Sequence, residues 1–353
     1  MQKISSVGLA GHFRNDLAKK TAKCAIKVIR KHGVKVRVAR EFFHSKHSVP
    51  ISDFDVDLVL AFGGDGTLLH IFRDLGKKRV PVFGVNCGEV GFLMGLHYEN
   101  FDKKLPVILS GDFVVEERTR IAGIADNSEL PLALNEIVMS AVKSATIMRY
   151  GLKVNSEYLW KDSADGVIVS TPTGSTAYSL SARGPIVQPN AKALLLTPIN
   201  SMADTKPLVV GDDSTVEIFG INSSSPCEVV VDGQTRLKVS ESLSCKKSKF
   251  PALLARLSRL NFSSPGKRTK MAKPLDSGTE ASDAPPSARF VLKILEMESS
   301  LTQKEIINAT GLPARTVRRA LQFLVRKRLV LKKPFLADPR QHIYILQQQK
   351  KQA

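Results

Sequence analysis

The sequence predicts an α/β domain, then a β-rich domain and, beyond a linker, a small basic helical domain. The first half alternates helical and strand-like apolar periods, and the stretch from about Phe113 to Val239 reads as short alternating strands separated by turn residues. After a segment rich in Ser, Pro and Gly, a helical period returns together with a dense run of Arg and Lys. The chain has 353 residues, 43% apolar and 24% charged, which is the balance of an ordinary globular protein with room for two domains.

Val7 and Leu9 open a short apolar strand, Asp16 to Lys31 has the period of a helix, and Lys35 to Val38 returns to strand type. This is the βαβ rhythm of a parallel sheet. The run Leu58 to Phe62 stops at Gly63 and resumes with helical spacing at Leu68, Leu69 and Phe72, giving a strand, a glycine turn and a helix start. On this reading residues 1–112 form the α/β domain and 113–245 the β-rich one. In Pro251 to Phe262 the spacing of Leu253, Leu254, Leu257 and Leu260 predicts a helix, so 246–262 is expected to return as a helix against the first domain. Residues 263–286 carry too few apolar side chains to offset the entropy of ordering and are expected to be a flexible linker. The small domain then occupies 287–347, with a disordered tail at 348–353.

The net charge is +19, and residues 287–353 hold 14 Lys and Arg against 4 Asp and Glu. Such an excess attracts polyanions: nucleotides, nucleic acid or anionic lipid. There is no apolar run of about 18 residues to cross a membrane, and the N-terminus lacks the basic-then-apolar plan of a secretory signal, so a cytoplasmic location is expected. Cys24, Cys87, Cys227 and Cys245 stand far apart with no CxxC pair, which suggests neither a zinc cluster nor a disulfide framework.

Gly63, Gly64, Asp65, Gly66 and Thr67 stand at the C-terminal end of a predicted parallel strand, where open α/β sheets place ligands. Glycines let the main chain approach a polyphosphate, and the following helix presents its positive dipole end. A carboxylate among them, Asp65, is placed to accept the proton of an attacking hydroxyl while a magnesium ion on a nucleotide neutralises developing charge. A turn in which Asp65 merely caps the helix would use the same residues, so this motif alone names no substrate. Neither a GxxxxGK[ST] loop nor a GxGxxG fingerprint is present.

GGDGT resembles a motif shared by NAD kinases, diacylglycerol and sphingosine kinases, and 6-phosphofructokinases. Three further segments favour the first of these. DGVIVSTPTGSTAYSLSARGPIV (Asp165 to Val187) looks like the long second signature of NAD kinases, LNEIVMS (Leu134 to Ser140) like their Asn-Glu segment, and NCGEVGFL (Asn86 to Leu93) like a further family segment. The resemblance covers roughly residues 1–262. It implies an α/β domain, a β-rich domain, and a cleft between them in which ATP phosphorylates the 2′-hydroxyl of NAD with Mg2+ or another divalent cation. Carried over by position, Asp65 is the base beside Gly66, with Gly63, Gly64 and Thr67 as a phosphate loop, and Asn135 and Glu136 hold the ribose. Asp165, Thr176, Ala177, Tyr178, Ser179, Leu180 and Ser181 line the dinucleotide pocket, His70 lies near its phosphates, and Gln234 in VVDGQ closes it. The plainer roles are a turn cap for Asn135, a core position for Tyr178 and an exposed helical position for His70. The family builds part of this pocket from a neighbouring subunit, which implies a homo-oligomer, a dimer or a tetramer. The sequence departs from the pattern at Arg183, where SAGGP has glycine, and between Asn200 and Lys206.

In the last domain Thr302 and Glu305 form a capping box, Gly311 marks a turn, and Pro313 suits the first turn of another helix. On that helix Val317, Ala320, Leu321, Leu324 and Val325 share one face, with Arg315, Arg319, Gln322 and Arg326 opposite. Leu329 to Lys333 and His342 to Ile345 alternate as two strands joined through Pro334 to Gln341. The arrangement resembles a winged helix-turn-helix domain similar to the DNA-binding modules of MarR-like regulators. Arg315, Arg318 and Arg319 are candidate DNA contacts on the helix, and Lys332, Lys333 and Arg340 on the wing. A dimerisation or protein-contact module with a solvated arginine face is the plain counterpart. For the chain as a whole, the alternative to an enzyme is an NAD(P)-sensing transcriptional regulator on the same scaffold. A lipid kinase has only GGDGT in its favour.

Overall fold

Leu58–Gly63 and Val82–Asn86 are buried along their whole length, as strands covered on both faces must be. They are central strands of a seven-stranded sheet in the computed structural model, which describes residues 4–12, 14–43, 47–88, 91–258, 285–298, 300–310, 312–327, 329–334 and 342–346. Across the sheet the order is Lys35–Val38, Ser6–Gly11, Leu58–Gly63, Val82–Asn86, Ala252–Arg256 and Val114–Arg118, with Leu96–His97 beside Val82–Asn86. All these pairings are parallel except that between Ala252–Arg256 and Val114–Arg118.

Three helices cover this sheet: α1 (Asp16–Lys31), α2 (Asp65–Leu75) and α3 (Tyr98–Leu109). The Asn15 side chain caps α1 by accepting from the Ala18 N–H at 2.9 Å, and Ala18, Ala22, Ala25 and Ile29 form its buried stripe. The chain winds outward in one direction from Ser6–Gly11 to Lys35–Val38 and in the other from Leu58–Gly63 to Val82–Asn86. With right-handed crossovers, that reversal puts α1 and α2 on opposite faces and leaves a crevice at the strand ends where the direction switches. The GGDGT turn stands at that crevice.

The segment expected as a helix over Pro251 to Phe262 is instead the strand Ala252–Arg256; residues 259–262 lie outside the described ones. Ala252, Leu254, Ala255 and Arg256 are all buried. A short apolar run covered on both faces carries no period of its own, and a chance leucine spacing imitates a helix. Its antiparallel partner Val114–Arg118 belongs to the same sheet, so the α/β layer extends past residue 112.

The β-rich part is two six-stranded antiparallel sheets packed face to face. One contains Glu136–Ala141, Gly166–Ser170, Ala193–Ile199 and Cys227–Val231; the other contains Met148–Val154, Glu157–Ala164, Val216–Ser223 and Ser242–Lys247. Ile137, Met139, Val167, Val169, Leu194 and Val229 meet Met148, Tyr150, Leu152, Ile218 and Leu243 in the core between them. On the outer face of the first sheet a second cluster, Val138, Ile168, Ile199 and Val230, packs with Ala182 at the end of the short helix α4 (Tyr178–Ser181). All four cysteines are free.

The chain divides into two compact units, Met1–Met271 and Ala272–Ala353. The second unit contains α5 (Pro286–Glu298), α6 (Gln303–Thr310) and α7 (Ala314–Arg326), with strands Ser300–Thr302, Val330–Pro334 and His342–Leu346 in one antiparallel sheet. Its core joins Val291, Leu295, Ile306, Val317, Leu321, Leu324 and Tyr344. The capping box forms: Glu305 Oε2 accepts from the Thr302 N–H at 2.7 Å, and the Thr302 hydroxyl accepts from the Glu305 N–H at 3.3 Å. Gly311, Arg340 and the tail at 348–353 lie outside the described residues, as does the linker up to residue 284. Among the described residues no helix is long and apolar enough to cross a membrane.

Arg183 follows α4 with φ 67°, a left-handed conformation that favours glycine. Strain of about 1–2 kcal/mol is set against the extra chain entropy of a glycine, about 0.4–1 kcal/mol. Arg183→Gly is therefore expected to stabilise the protein by up to ~1 kcal/mol, read as a higher urea midpoint at unchanged slope.

Candidate active site

Because Asp65 is the first residue of α2, its carboxylate is directed by the strand that ends at Gly63 and by the glycine turn between them. Both oxygens face the loop after Val82–Asn86: the Phe92 N–H donates to Oδ2 at 2.6 Å and the Leu93 N–H to Oδ1 at 3.0 Å. Gly91 makes this approach possible, since a Cβ there would stand 2.0 Å from Asp65 Oδ1. A carboxylate has about four acceptor sites, so roughly two remain for a ligand. The Thr67 hydroxyl accepts from the Gly64 N–H at 3.4 Å, and Thr67 is buried, which makes it a brace for the turn.

Across from α2, Asn135 and Glu136 are fixed by a residue that sequence reasoning did not single out. Asp232 stands in the turn after Cys227–Val231 with φ 47°. Its carboxylate accepts from the backbone N–H groups of Leu134 at 2.8 Å, Asn135 at 2.8 Å and Glu136 at 3.0 Å. Thr171 closes the same turn, its N–H donating to the Asn135 carbonyl at 2.8 Å and its hydroxyl to the Leu134 carbonyl at 2.7 Å. Gly174 lies so near that a Cβ would meet the Asn135 carbonyl oxygen at 2.2 Å.

Glu136 is buried, and its Oε2 has no hydrogen-bond partner among the described residues. Burial, and then the nearby charge of Asp232, push its carboxyl up to about 8, against the pull of the Tyr178 N–H. Burial also raises the Asp232 carboxyl despite its three N–H donors and the charge of Arg120. Arg120 is itself fully buried, donating to the Phe250 carbonyl at 2.7 Å and to the Phe72 carbonyl of α2 at 3.2 Å.

The two sides meet through Gln234, two residues beyond Asp232. Its Nε2 donates to the Gly66 carbonyl at 3.2 Å, and its Oε1 accepts from Arg73 Nη1 at 3.0 Å. Arg73 also contacts His70 Nδ1 at 2.6 Å, and His70 Nε2 lies 3.3 Å from Asp74. Asp65, Gly66, His70 and Gln234 therefore form one connected cluster, and Asn135, Glu136 and the Tyr178 N–H a second one, joined by the turn 232–234.

Other expected site residues separate. Thr176 and Ala177 are half-buried, and Tyr178, Leu180 and Ser181 are exposed on or beside α4. Ser179 is wholly buried with its hydroxyl 2.9 Å from that of Thr197, so its side chain is committed to holding α4 on the sheet and is withdrawn from any ligand. Asp165 accepts from Asn200 Nδ2 at 2.8 Å. Ser170 pairs with Glu136 and Gly166 with Ser140, so Asp165 stands at the far end of its strand. Five steps of ~3.3 Å put it roughly 16 Å from the level of Glu136.

The signal for Asp232 was present in VVDGQ, where an acidic residue ends an apolar strand. Arg120 and Arg256 carried no such signal, being ordinary charges in the sequence whose burial only the fold reveals.

The raised Glu136 carboxyl has a direct consequence for stability. Between about 4.5 in the unfolded chain and about 8 in the fold, the native state holds a proton that the unfolded state has lost, so this group lowers stability as pH rises. Glu136→Gln is expected to gain stability relative to the unsubstituted protein between about pH 5 and pH 8, measured by chemical denaturation; a pH-independent difference would contradict the burial argument.

Residues 4–113 match the family described as ATP-NAD kinase N-terminal domain, and residues 134–257 that described as ATP-NAD kinase C-terminal domain; together they span well over half the chain. An NAD kinase from Heliobacterium modesticaldum is 42% identical over 214 residues, 59% of this chain and 76% of that protein. One from Bacteroides fragilis is 33% identical over 279 residues, 74% of this chain and 96% of that protein. Among solved structures, an NAD kinase from Archaeoglobus fulgidus in complex with ATP matches with a TM-score of 0.61 at 29% identity, covering 70% of this chain and 92% of that one. A yeast NADH kinase complexed with NADH matches in fold with a TM-score of 0.69 at 24% identity, covering 80% and 91%. Both family matches end by residue 257, ahead of the second unit. The chain belongs to the ATP-NAD kinase family, and it is an enzyme of that kind, a kinase that acts on NAD.

Proposed function

We propose that the enzyme transfers the γ-phosphoryl group of ATP to the 2′-hydroxyl of the adenosine ribose of NAD, giving NADP and ADP, with Asp65 as the general base. The observation that carries this reading is the position of Asp65: on the first turn of α2, at the topological switch of the sheet, and tied through Gly66 and Gln234 to the turn that holds Asn135 and Glu136. The positive end of α2 and the open backbone at Gly64 and Gly66, where an added Cβ would meet nothing within 4 Å, suit the phosphates of the donor. Asn135 and Glu136 hold the ribose; the unpartnered Oε2 of Glu136 is the atom that a sugar hydroxyl would satisfy. Thr176, Ala177, Tyr178, Leu180 and Ser181 border the dinucleotide, and His70 with Arg73 faces its phosphates.

Among the described residues no group of three or more His, Cys, Asp or Glu side chains forms a metal cage. A divalent cation such as Mg2+, carried by the phosphates of the donor, would neutralise charge on the transferring group. The distance of Asp165 from Glu136 supports a homo-oligomer, dimer or tetramer, in which a second copy brings its Asp165 to this site. In an NADP-formation assay with ATP, magnesium and NAD, Asp65→Asn is expected to lose on the order of a hundredfold to ten-thousandfold in kcat. Retention of the rate would remove Asp65 from this role.

For the second unit we propose a winged helix-turn-helix that binds DNA, with α7 in the major groove. The supporting observation is the division of α7 into a buried face, Val317, Ala320, Leu321 and Leu324, and an exposed one, Arg315, Arg318, Arg319 and Arg326. Lys332 is exposed on the strand of the hairpin beside it; Lys333 lies on the same strand, and Arg340 falls in the hairpin loop outside the described residues. An NAD(P)-sensing regulator would share these features and differ in lacking turnover. Gel shifts of the full-length protein are expected to weaken as salt rises and to lose at least about tenfold in affinity when Arg315, Arg318 and Arg319 are all changed to Ala. Unchanged binding by that variant, or none at low salt, would reject this assignment.

A further inference from the structure

Arg256 is the last residue of the strand Ala252–Arg256 and is 4% exposed. Its Nη2 donates to the carbonyls of Phe92 at 3.2 Å and Leu93 at 2.7 Å, and its Nη1 to that of Met94 at 3.3 Å. One guanidinium thus engages, from behind, three carbonyls of the segment whose N–H groups face Asp65. The Phe92–Leu93 peptide unit belongs to both contacts: its carbonyl accepts from Arg256, and its N–H donates to Asp65. A planar trans peptide points its oxygen and its hydrogen in opposite directions, so fixing one end fixes the other.

We propose that Arg256 is a positioning residue for phosphoryl transfer, holding the Phe92–Leu93 peptide so that its N–H, and with it the orientation of the Asp65 carboxylate, is set before substrate arrives. The inference rests on Asp65 being the base. A flipped peptide would aim a carbonyl oxygen at the carboxylate, and the guanidinium opposes that flip by occupying three successive carbonyls at once. Arginine is suited to this because its planar fork spans several acceptors, whereas the compact ammonium of lysine does not. The charge is accommodated by Glu116, whose Oε2 lies 3.6 Å from Arg256 Nε and also pairs with Arg118. One carboxylate between two buried guanidiniums leaves positive charge behind the loop, and Asp65 is the anion on its other side.

A double-mutant cycle on the full-length enzyme tests the coupling. Arg256→Lys is expected to lower kcat by about tenfold or more while leaving the KM for NAD within about twofold. In the Asp65→Asn background the same change is expected to lower the residual rate by less than about twofold, because the group through which it acts is gone. Equal losses in both backgrounds would overturn the proposal and mark Arg256 as a support for the fold alone, as would an unchanged kcat for Arg256→Lys. A full rate for Asp65→Asn by itself would instead defeat the base assignment. If Arg256→Lys does not accumulate as folded protein, Arg256→Ala assayed with added guanidinium gives a second readout. Recovery of kcat by guanidinium but not by ammonium supports the proposal, and recovery by neither refutes it.

Discussion

The Asp232 carboxylate is the constraint on which the catalytic cleft depends. Three consecutive backbone N–H groups, those of Leu134, Asn135 and Glu136, converge on it from one side, and the turn that bears it leads within two residues to Gln234, which donates to the Gly66 carbonyl of α2. Those N–H groups precede or begin the strand Glu136–Ala141. Leu134 and Glu136 are buried and Asn135 partly so, and each such N–H left without an acceptor would cost about 1–3 kcal/mol. A neutral side chain of the same size would satisfy fewer of them. The loss would fall on Asn135 and Glu136, the two residues proposed to hold the ribose.

Arg120 extends the same constraint into the first sheet. Buried arginines are costly, and burial lowers the Arg120 guanidinium to about 10 while the charge of Asp232 opposes that shift. Its donors reach the Phe72 carbonyl on α2 and the Phe250 carbonyl just before the strand Ala252–Arg256. The helix that carries Asp65, the strand that carries Arg256 and the turn that carries Asp232 are thus gathered around one cation. This explains how a site assembled from two domains keeps its geometry when few covalent links cross the cleft.

Much of the first domain was legible because helical and strand periods are local. Asp16 to Lys31 and Lys35 to Val38 have the bounds that the apolar spacing suggested. The strand Ala252–Arg256 was not legible, because its identity is decided by neighbours more than a hundred residues earlier: Val82–Asn86 on one side and Val114–Arg118 on the other. Asp65, Asn135 and Glu136 stood out through motif context, but the residues that aim them did not. Asp232, Arg120 and Arg256 act through backbone atoms, and backbone acceptors leave no trace in side-chain patterns. Ser179 shows the converse: it lies within a signature segment, yet its hydroxyl is turned into the sheet toward Thr197.

The charges of the cleft bear directly on what it binds. Asp65, Glu136 and Asp232 are all acidic, while NAD and ATP are anions, so three ionised carboxylates here would repel what the enzyme must bind. Burial resolves part of this conflict by pushing the Glu136 carboxyl up to about 8, so that near neutrality it is mostly a neutral acid able to donate as well as accept. Asp232 spends its charge on three N–H dipoles and on Arg120. Of the three, Asp65 alone is left half-exposed. The acidic composition of the site and its binding of polyphosphates are then compatible: burial favours the neutral form of one carboxyl, the second accepts from three N–H groups, and the third is the group the proposed reaction needs ionised.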